Sequence, residues 1–143
     1  MKVINDNIII RKMTLDDLVE INSIGLENFD DFWNINVLRS ELSKSDNNST
    51  YFVALEDKHI LGFAGTLKIL SEVNIMNIAV RKDMRKLGIG SALLQHLINF
   101  SKEQDASSIT LEVNENNVSA INLYKKYHFE QVGLRLSLIH ISE

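Results

Sequence analysis

Gly88 and Gly90 stand two positions apart, behind the cations Arg81, Lys82, Arg85 and Lys86, and at the head of a run in which Ile89, Leu93, Leu97 and Phe100 recur at helical spacing. Residues without a side chain let backbone approach a ligand closely. The first N–H groups of a helix have no internal acceptor and lie at the positive end of its dipole. Together these features suit a diphosphate. On spacing alone, a tight turn with close helix packing explains the two glycines equally well. The stretch is neither a G-x-x-x-x-G-K-[ST] loop nor G-x-G-x-x-G, because position 93 is Leu.

The elements that must position this loop read as short and alternating. Ile8 to Met13 is a β-rich run, and Thr14 with Asp17 three residues on opens a helix carrying Leu15, Leu18, Ile21 and Ile24. A second helix is expected over Val37 to Lys44, with Phe29, Phe32 and Trp33 in the connection before it, either edging a substrate site or plugging the core. Tyr51 to Glu56, Ile60 to Leu70 and Val73 to Val80 read as an antiparallel meander, turned by Asp57-Lys58-His59 and by a Ser-Glu turn. A helix from Gly88 to about Gln104, a strand from Ser107 to Val113, a helix from Asn117 through Tyr127 and a strand from Phe129 to Leu134 complete the order. The fold class expected is α/β, a mixed sheet flanked by helices in the order β-α-α-β-β-β-α-β-α-β.

The 143 residues fit one domain, with 45% hydrophobic and 24% charged residues as in ordinary folded domains. A formal net charge of -4 argues against nucleic-acid binding through bulk electrostatics, while leaving the local basic patch able to hold an anion. There is no run of about 18 apolar residues to span a bilayer and no export signal, so no membrane partner is expected. The absence of cysteine excludes disulfides, thiolate metal sites and an acyl-cysteine intermediate, and a cytoplasmic setting is expected. The histidines His59, His96 and His128 read as surface or helix-end residues and Tyr127 and Trp33 as core, and no metal cluster is visible.

Asn77-Ile78-Ala79-Val80, then Arg85-x-x-Gly88-x-Gly90, then Leu111-Glu112-Val113, then Asn117 and Leu123-Tyr124 resemble the GNAT acetyltransferase pattern over about residues 8 to 135. The resemblance is greatest to the branch that acetylates the N-terminal alanine of a small-subunit ribosomal protein (RimI-like). The four motifs fall in order at family-like spacing, which is more specific than any one of them. By this resemblance acetyl-CoA is the acetyl donor. The backbone of Ile78, Ala79 and Val80 would run beside its pantetheine arm, the backbone of Lys86, Leu87, Gly88, Ile89, Gly90 and Ser91, with Arg85 before it, would hold its pyrophosphate, and Asn117 would contact it from the next helix. Taken alone, Ile78 and Val80 are ordinary strand core, and Asn117 is a good N-cap. Arg85 stands where glutamine is common in the family, Leu87 where a polar residue or Gly is frequent, and Lys82 where proline is frequent. A binding mode that relies on backbone groups tolerates these departures.

Glu112 matches the family's general base, acting through water, and Tyr124, twelve positions later, matches its general acid. A strand glutamate is otherwise usually solvent-facing, and a helix tyrosine is as readily core. A backbone N–H on the Ile78 to Val80 strand would stabilise the oxyanion. An α-amine of pKa about 7.8 is roughly 14% neutral at pH 7, against about 0.04% for a lysine, so an N-terminal acceptor asks less of the base. The resemblance thus implies transfer to a peptide or protein N-terminus. A GNAT enzyme for a small amine or lysine and a noncatalytic acyl-CoA-binding module are the alternatives.

Leu136 to Glu143 looks like the forward translation of a transposase adapter used in preparing sequencing libraries, although part of it also alternates like a strand. The domain is accordingly assigned to residues 1–135, with 136–143 a non-native tail. The sheet is expected either to lack its closing strand or to have it mimicked by Leu136 to Ile141, with activity weakened or lost.

Overall fold

The computed structural model describes residues 8–24, 35–44, 48–81, 88–111, 116, 118–132 and 135–139, with backbone alone at 77, 119, 131–132 and 135–139. The elements are β1 (Ile9–Lys12), α1 (Asp17–Ile24), α2 (Ile35–Ser43), β2 (Ser49–Glu56), β3 (His59–Ile69), β4 (Glu72–Val80), α3 (Ile89–Glu103), β5 (Ser108–Leu111), α4 (Val118–Lys126), β6 (Glu130–Val132) and β7 (Arg135–Ile139). They form a sheet in the order β1-β2-β3-β4-β5-β7-β6, antiparallel except for the parallel β4–β5 pair.

The start of α1 follows from its sequence. The Asp17 carboxylate accepts the Thr14 N–H at 2.7 Å, reaching back as the third residue of a capping box does. It also takes both arms of the Arg11 guanidinium at 2.8 and 2.9 Å. That bidentate bond holds the carboxyl below its ordinary value against the opposing effect of burial. One acidic side chain therefore joins β1 to α1.

The run Tyr51-Phe52-Val53-Ala54-Leu55 is buried on both sides of the sheet. Phe52 and Ala54 face one layer with Leu61, Ala64, Val73, Ile75, Leu93, Leu94, Leu97, Ile109 and Leu111. Tyr51, Val53 and Leu55 face the other layer with Leu18, Ile21, Leu38, Ile60 and Phe63. Helices α3 and α4 cover the first face and α1 and α2 the second. Leu93, Leu94 and Leu97 are fully buried, each contributing roughly 2 kcal/mol by its removal from water.

The meander β2-β3-β4 has two tight turns. Asp57 and Lys58 both take positive φ (52° and 70°), as a two-residue hairpin with right-handed strand twist requires, so His59 already belongs to β3. The second turn is Leu70-Ser71 instead of the expected Ser-Glu pair: Ile69 faces Glu72 in the register, and Leu70 carries a φ of 56°. No sequence signal marks it, because leucine is not a turn-forming residue.

Helix ends follow local chemistry. At the end of α3 the Ala106 N–H donates to Ser101 C=O at 3.1 Å and the Asp105 N–H to Lys102 C=O at 3.0 Å, with Asp105 left-handed at φ 59°. At the end of α4 the Phe129 N–H donates to Tyr124 C=O at 3.2 Å and the His128 N–H to Lys125 C=O at 2.9 Å, with His128 at φ 74°. Both are Schellman caps in which a residue with a Cβ occupies the position glycine usually fills.

The expected element order gains one strand. The last expected strand, Phe129 to Leu134, is shorter, because Phe129 is drawn into the core and the strand starts at Glu130. Beyond it the sheet does not lack a further strand. Arg135–Ile139 forms β7, antiparallel to β5 from Ser108↔Ile139 to Leu111↔Leu136, and sits between β5 and β6.

Candidate functional site

The site is built along the end of β4, beside the start of α3. Among the described residues the parallel β4–β5 register runs from Glu72↔Ser108 to Ile75↔Leu111, and β4 is paired with β3 as far as Val80. Within that register the strands are tied across: the Thr110 hydroxyl lies 2.6 Å from Asn74 Oδ1 and 2.9 Å from Glu72 Oε2. Beyond it, Gly65 faces Asn77 and Thr66 faces Ile75, which leaves Met76 as an extra residue in β4. Such a bulge bends a strand and re-aims the side chains around it. It is the signal that reading the sequence could not supply, because it exists only in the pairing.

The direction of the peptide groups beyond the bulge follows from one hydrogen bond. The Arg81 N–H donates to Leu61 C=O at 2.8 Å. Bonded pairs alternate along an antiparallel ladder, so Phe63 and Ala79 form the next one, and Ile78 and Val80 turn their N–H and C=O groups toward the β5 side. Of the three strand residues read as cofactor-binding, Ile78 and Val80 thus direct backbone away from β3. Ala79 spends its backbone on β3 and is buried against the α1–α2 layer.

Gly88 precedes α3 at φ 89° and ψ 6°, a conformation that a Cβ disfavours, and its C=O accepts the Ala92 N–H at 2.9 Å. The amides of Ile89, Gly90 and Ser91 form the first turn behind it, and Gly88 brings no side chain to cap them. Among the described residues, a Cβ at Gly90 would meet only Leu123 Cδ2 at 3.8 Å and Val80 Cγ2 at 3.9 Å, ordinary contact distances, so that packing does not demand glycine at 90. The turn suits a ligand that must touch backbone, and it fits the diphosphate of a CoA-type donor.

Those same contacts bring α4 to the site through Leu123, the residue before Tyr124. Tyr124 is buried, its ring 5.8 Å from that of Phe129, and burial raises its phenol to a pKa of about 12. It is protonated across the physiological range and available as a donor. Complete transfer to a thiolate with a thiol pKa near 8.5 would be uphill unless the sulfur were desolvated as well. Tyr127, one helical turn on, donates to the Ser91 C=O at 3.4 Å, a link between α4 and the first turn of α3 that the sequence did not signal.

Arg85, Lys86, Leu87, Glu112 and Asn117 lie outside the described residues, as do Lys82, Phe29, Phe32 and Trp33. The described structure therefore brings together Ile78, Val80, Gly88, Ile89, Gly90, Ser91 and Tyr124. Among the other singled-out residues, His59 and His128 are exposed and Tyr127 is half-buried. His96 differs from its reading as a surface residue: it packs edge-on to Phe52 at 4.6 Å, and burial lowers its pKa. No group of three His, Cys, Asp or Glu side chains that could hold a metal occurs among the described residues, and no described helix is long and apolar enough to cross a membrane.

The sequence matches the profile of the acetyltransferase (GNAT) family over residues 15–129. The chain belongs to that family. It is 29% identical over 126 residues, 88% of this chain and 83% of the relative, to a Bacillus subtilis protein provisionally named a [ribosomal protein bS18]-alanine N-acetyltransferase. Its fold superposes on the Escherichia coli ribosomal-protein-S18-alanine N-acetyltransferase with a TM-score of 0.80 at 23% identity, covering 93% of this chain and 94% of the other. It also superposes on the PaiA N-acetyltransferase of Thermoplasma acidophilum in complex with coenzyme A, with a TM-score of 0.71 at 18% identity, covering 91% and 96%. The expected fold class holds, and this GNAT chain is an acetyltransferase with RimI-like relatives.

Proposed function

We propose that this GNAT acetyltransferase uses acetyl-CoA as donor and transfers the acetyl group directly to a protein N-terminal α-amine, with a ribosomal-protein alanine as the acceptor to test first. The observation that carries the donor is the first turn of α3, led by the left-handed Gly88, lying beside the end of β4, where Ile78 turns its peptide groups toward the β5 side. These groups would pair with the amides of the pantetheine arm, and the first turn of α3, with Arg85, Lys86 and Leu87 before it, would take the pyrophosphate. The name of the Bacillus relative supports the acceptor. A cytoplasmic setting belongs to the same proposal, because ribosomal N-termini are made there.

In this reading Glu112, the residue after Leu111 at the end of the β4–β5 register, accepts the amine's proton through water. The neutral nitrogen attacks the thioester carbon, the Ile78 N–H stabilises the oxyanion, the C–S bond breaks, and Tyr124 donates a hydrogen bond or proton to the departing sulfur. Asn117 contacts the donor from the start of α4.

The test is acetyl transfer from acetyl-CoA to an alanine-starting peptide, to the same peptide with its α-amine blocked, and to polyamines and an aminoglycoside. Transfer to the open peptide alone supports the proposal, and transfer only to small amines removes the acceptor part of it. Glu112→Gln should lose turnover by a hundredfold or more (about 10²–10⁴ for a general base) while still binding acetyl-CoA. Unchanged turnover in that variant would dismiss Glu112 as the base.

A further inference from the structure

We propose that Gly62 is a positioning residue for the donor: by lacking a Cβ it lets the end of β4 lie close against β3, and so sets where the Ile78 carbonyl meets the pantetheine arm. The inference rests on the donor placement proposed above.

Strand β3 carries an irregularity of its own opposite β2. Leu55 faces Ile60 and Ala54 faces Gly62, so Leu61 is an extra residue in β3. Such a bulge increases the local twist, and a lone glycine inside a strand marks a place where another backbone approaches closely. Here that backbone is the end of β4. Gly62 faces Val80, and the Leu61 C=O accepts the Arg81 N–H at 2.8 Å. A Cβ at Gly62 would lie 2.5 Å from the Ala79 carbonyl oxygen, 3.3 Å from Val80 Cα and 3.4 Å from the Ala79 carbonyl carbon. All three are backbone atoms, so no side chain can swing away to relieve the contact. Restoring ordinary van der Waals distance requires β3 and β4 to move apart by roughly 1 Å.

That movement reaches the donor side because each peptide group is a rigid plane. Ala79 directs its N–H and C=O at β3. The Ala79 N–H and the Ile78 C=O are opposite ends of one trans peptide. Pushing Ala79 off β3 therefore carries the Ile78 C=O with it, on the side of β4 turned away from β3. An N–H···O bond spans only about 2.7–3.2 Å, so a shift of this size breaks one made to a pantetheine amide. The diphosphate depends on α3 instead, and Leu93, Leu94 and Leu97 anchor that helix in the core. Gly62 thus governs the arm of the donor and not its phosphates.

Gly65, three residues on, is the contrast. A Cβ there would meet the Tyr51 ring at 2.6 and 2.7 Å, a side chain of the α1–α2 layer, and none of its three nearest atoms belongs to β4.

The experiment measures by calorimetry how the wild-type chain, Gly62→Ala and Gly65→Ala bind acetyl-CoA and 3′-phospho-ADP, which is the donor without its arm. Gly62→Ala should weaken acetyl-CoA about tenfold, the loss of one well-made hydrogen bond, and leave 3′-phospho-ADP within about twofold of wild type. Gly65→Ala should lose stability by overpacking and keep both affinities within about twofold. Unchanged acetyl-CoA affinity in Gly62→Ala overturns the proposal, as does an equal loss for both ligands or the same loss in Gly65→Ala. Should Gly62→Ala fail to fold, the wild-type chain decides by its amide resonances. Acetyl-CoA should shift those of Ala79 and Phe63 along with that of Ile78, because the arm pulls on the peptide that Gly62 seats, and 3′-phospho-ADP should not. A shift at Ile78 that stops short of Ala79 and Phe63 overturns the role of Gly62. If acetyl-CoA leaves Ile78 itself unmoved, the donor placement falls and the proposal with it.

Discussion

Thr110 Oγ1 and Asn74 Oδ1 meet at 2.6 Å across the β4–β5 pair, next to Ile75↔Leu111. The bond ties the two strands together side chain to side chain. Thr110→Val keeps the shape and removes the hydroxyl that links Thr110 to the half-buried Asn74 and Glu72. It should cost about 0.5–1.5 kcal/mol of stability, read as a lower denaturant midpoint at unchanged slope.

Gly90→Ala separates packing from ligand binding. Among the described residues the added methyl meets only ordinary contacts, and alanine is the better helix former by up to about 1 kcal/mol, so the thermal midpoint should hold or rise. Acetyl-CoA affinity should nevertheless fall tenfold or more, about 1.4 kcal/mol, because the methyl occupies the side from which the diphosphate reaches backbone. A stable variant with unchanged affinity would place the diphosphate elsewhere.

Tyr124→Phe should lower kcat while leaving acetyl-CoA affinity near that of wild type, as measured by calorimetry and steady-state rates. The pH dependence has a definite sign. The folded pKa, about 12, lies above the ordinary value of 10. The contribution is therefore complete below pH 10 and is lost as pH rises toward 12. Wild-type stability should fall across that window more steeply than that of the phenylalanine variant. Tyr51, also raised by burial, adds a background common to both proteins.

His128→Gly and Asp105→Gly should each stabilise the chain by about 1 kcal/mol, since both residues sit left-handed at helix ends where a Cβ is disfavoured. Thermal unfolding of the single and double variants checks this, and the effects should add because the two caps close different helices.

Much of the fold was legible because it rests on local rules. Leu93, Leu97 and Phe100 announced α3 by their spacing, Thr14 and Asp17 announced the start of α1, and Gly88 announced the turn before α3. The turn at Leu70 was not legible, because the register of β3 against β4 holds a residue there that would not choose the conformation. The unequal orientations of Ile78 and Ala79 were hidden for a related reason: which peptide faces away from β3 follows from a hydrogen bond between Arg81 and Leu61, twenty residues apart. Strand β7 was legible only as a possibility, since its alternation is partial and its place between β5 and β6 comes from long-range pairing.

The two short turns of the β2-β3-β4 meander have a consequence for the order of assembly. Closing Asp57-Lys58 and Leu70-Ser71 costs little chain entropy, so this half of the sheet can zip locally and early. Parallel pairing of β4 with β5 must wait for the whole of α3 to cross over, and β5 gains its other neighbour only when β7 returns past β6. The β4–β5 pair, beside the proposed donor site, is therefore a late seam between an early half and a late half. A ligand spanning it would act as a fastener, slowing amide exchange in β5 more than in β2 or β3.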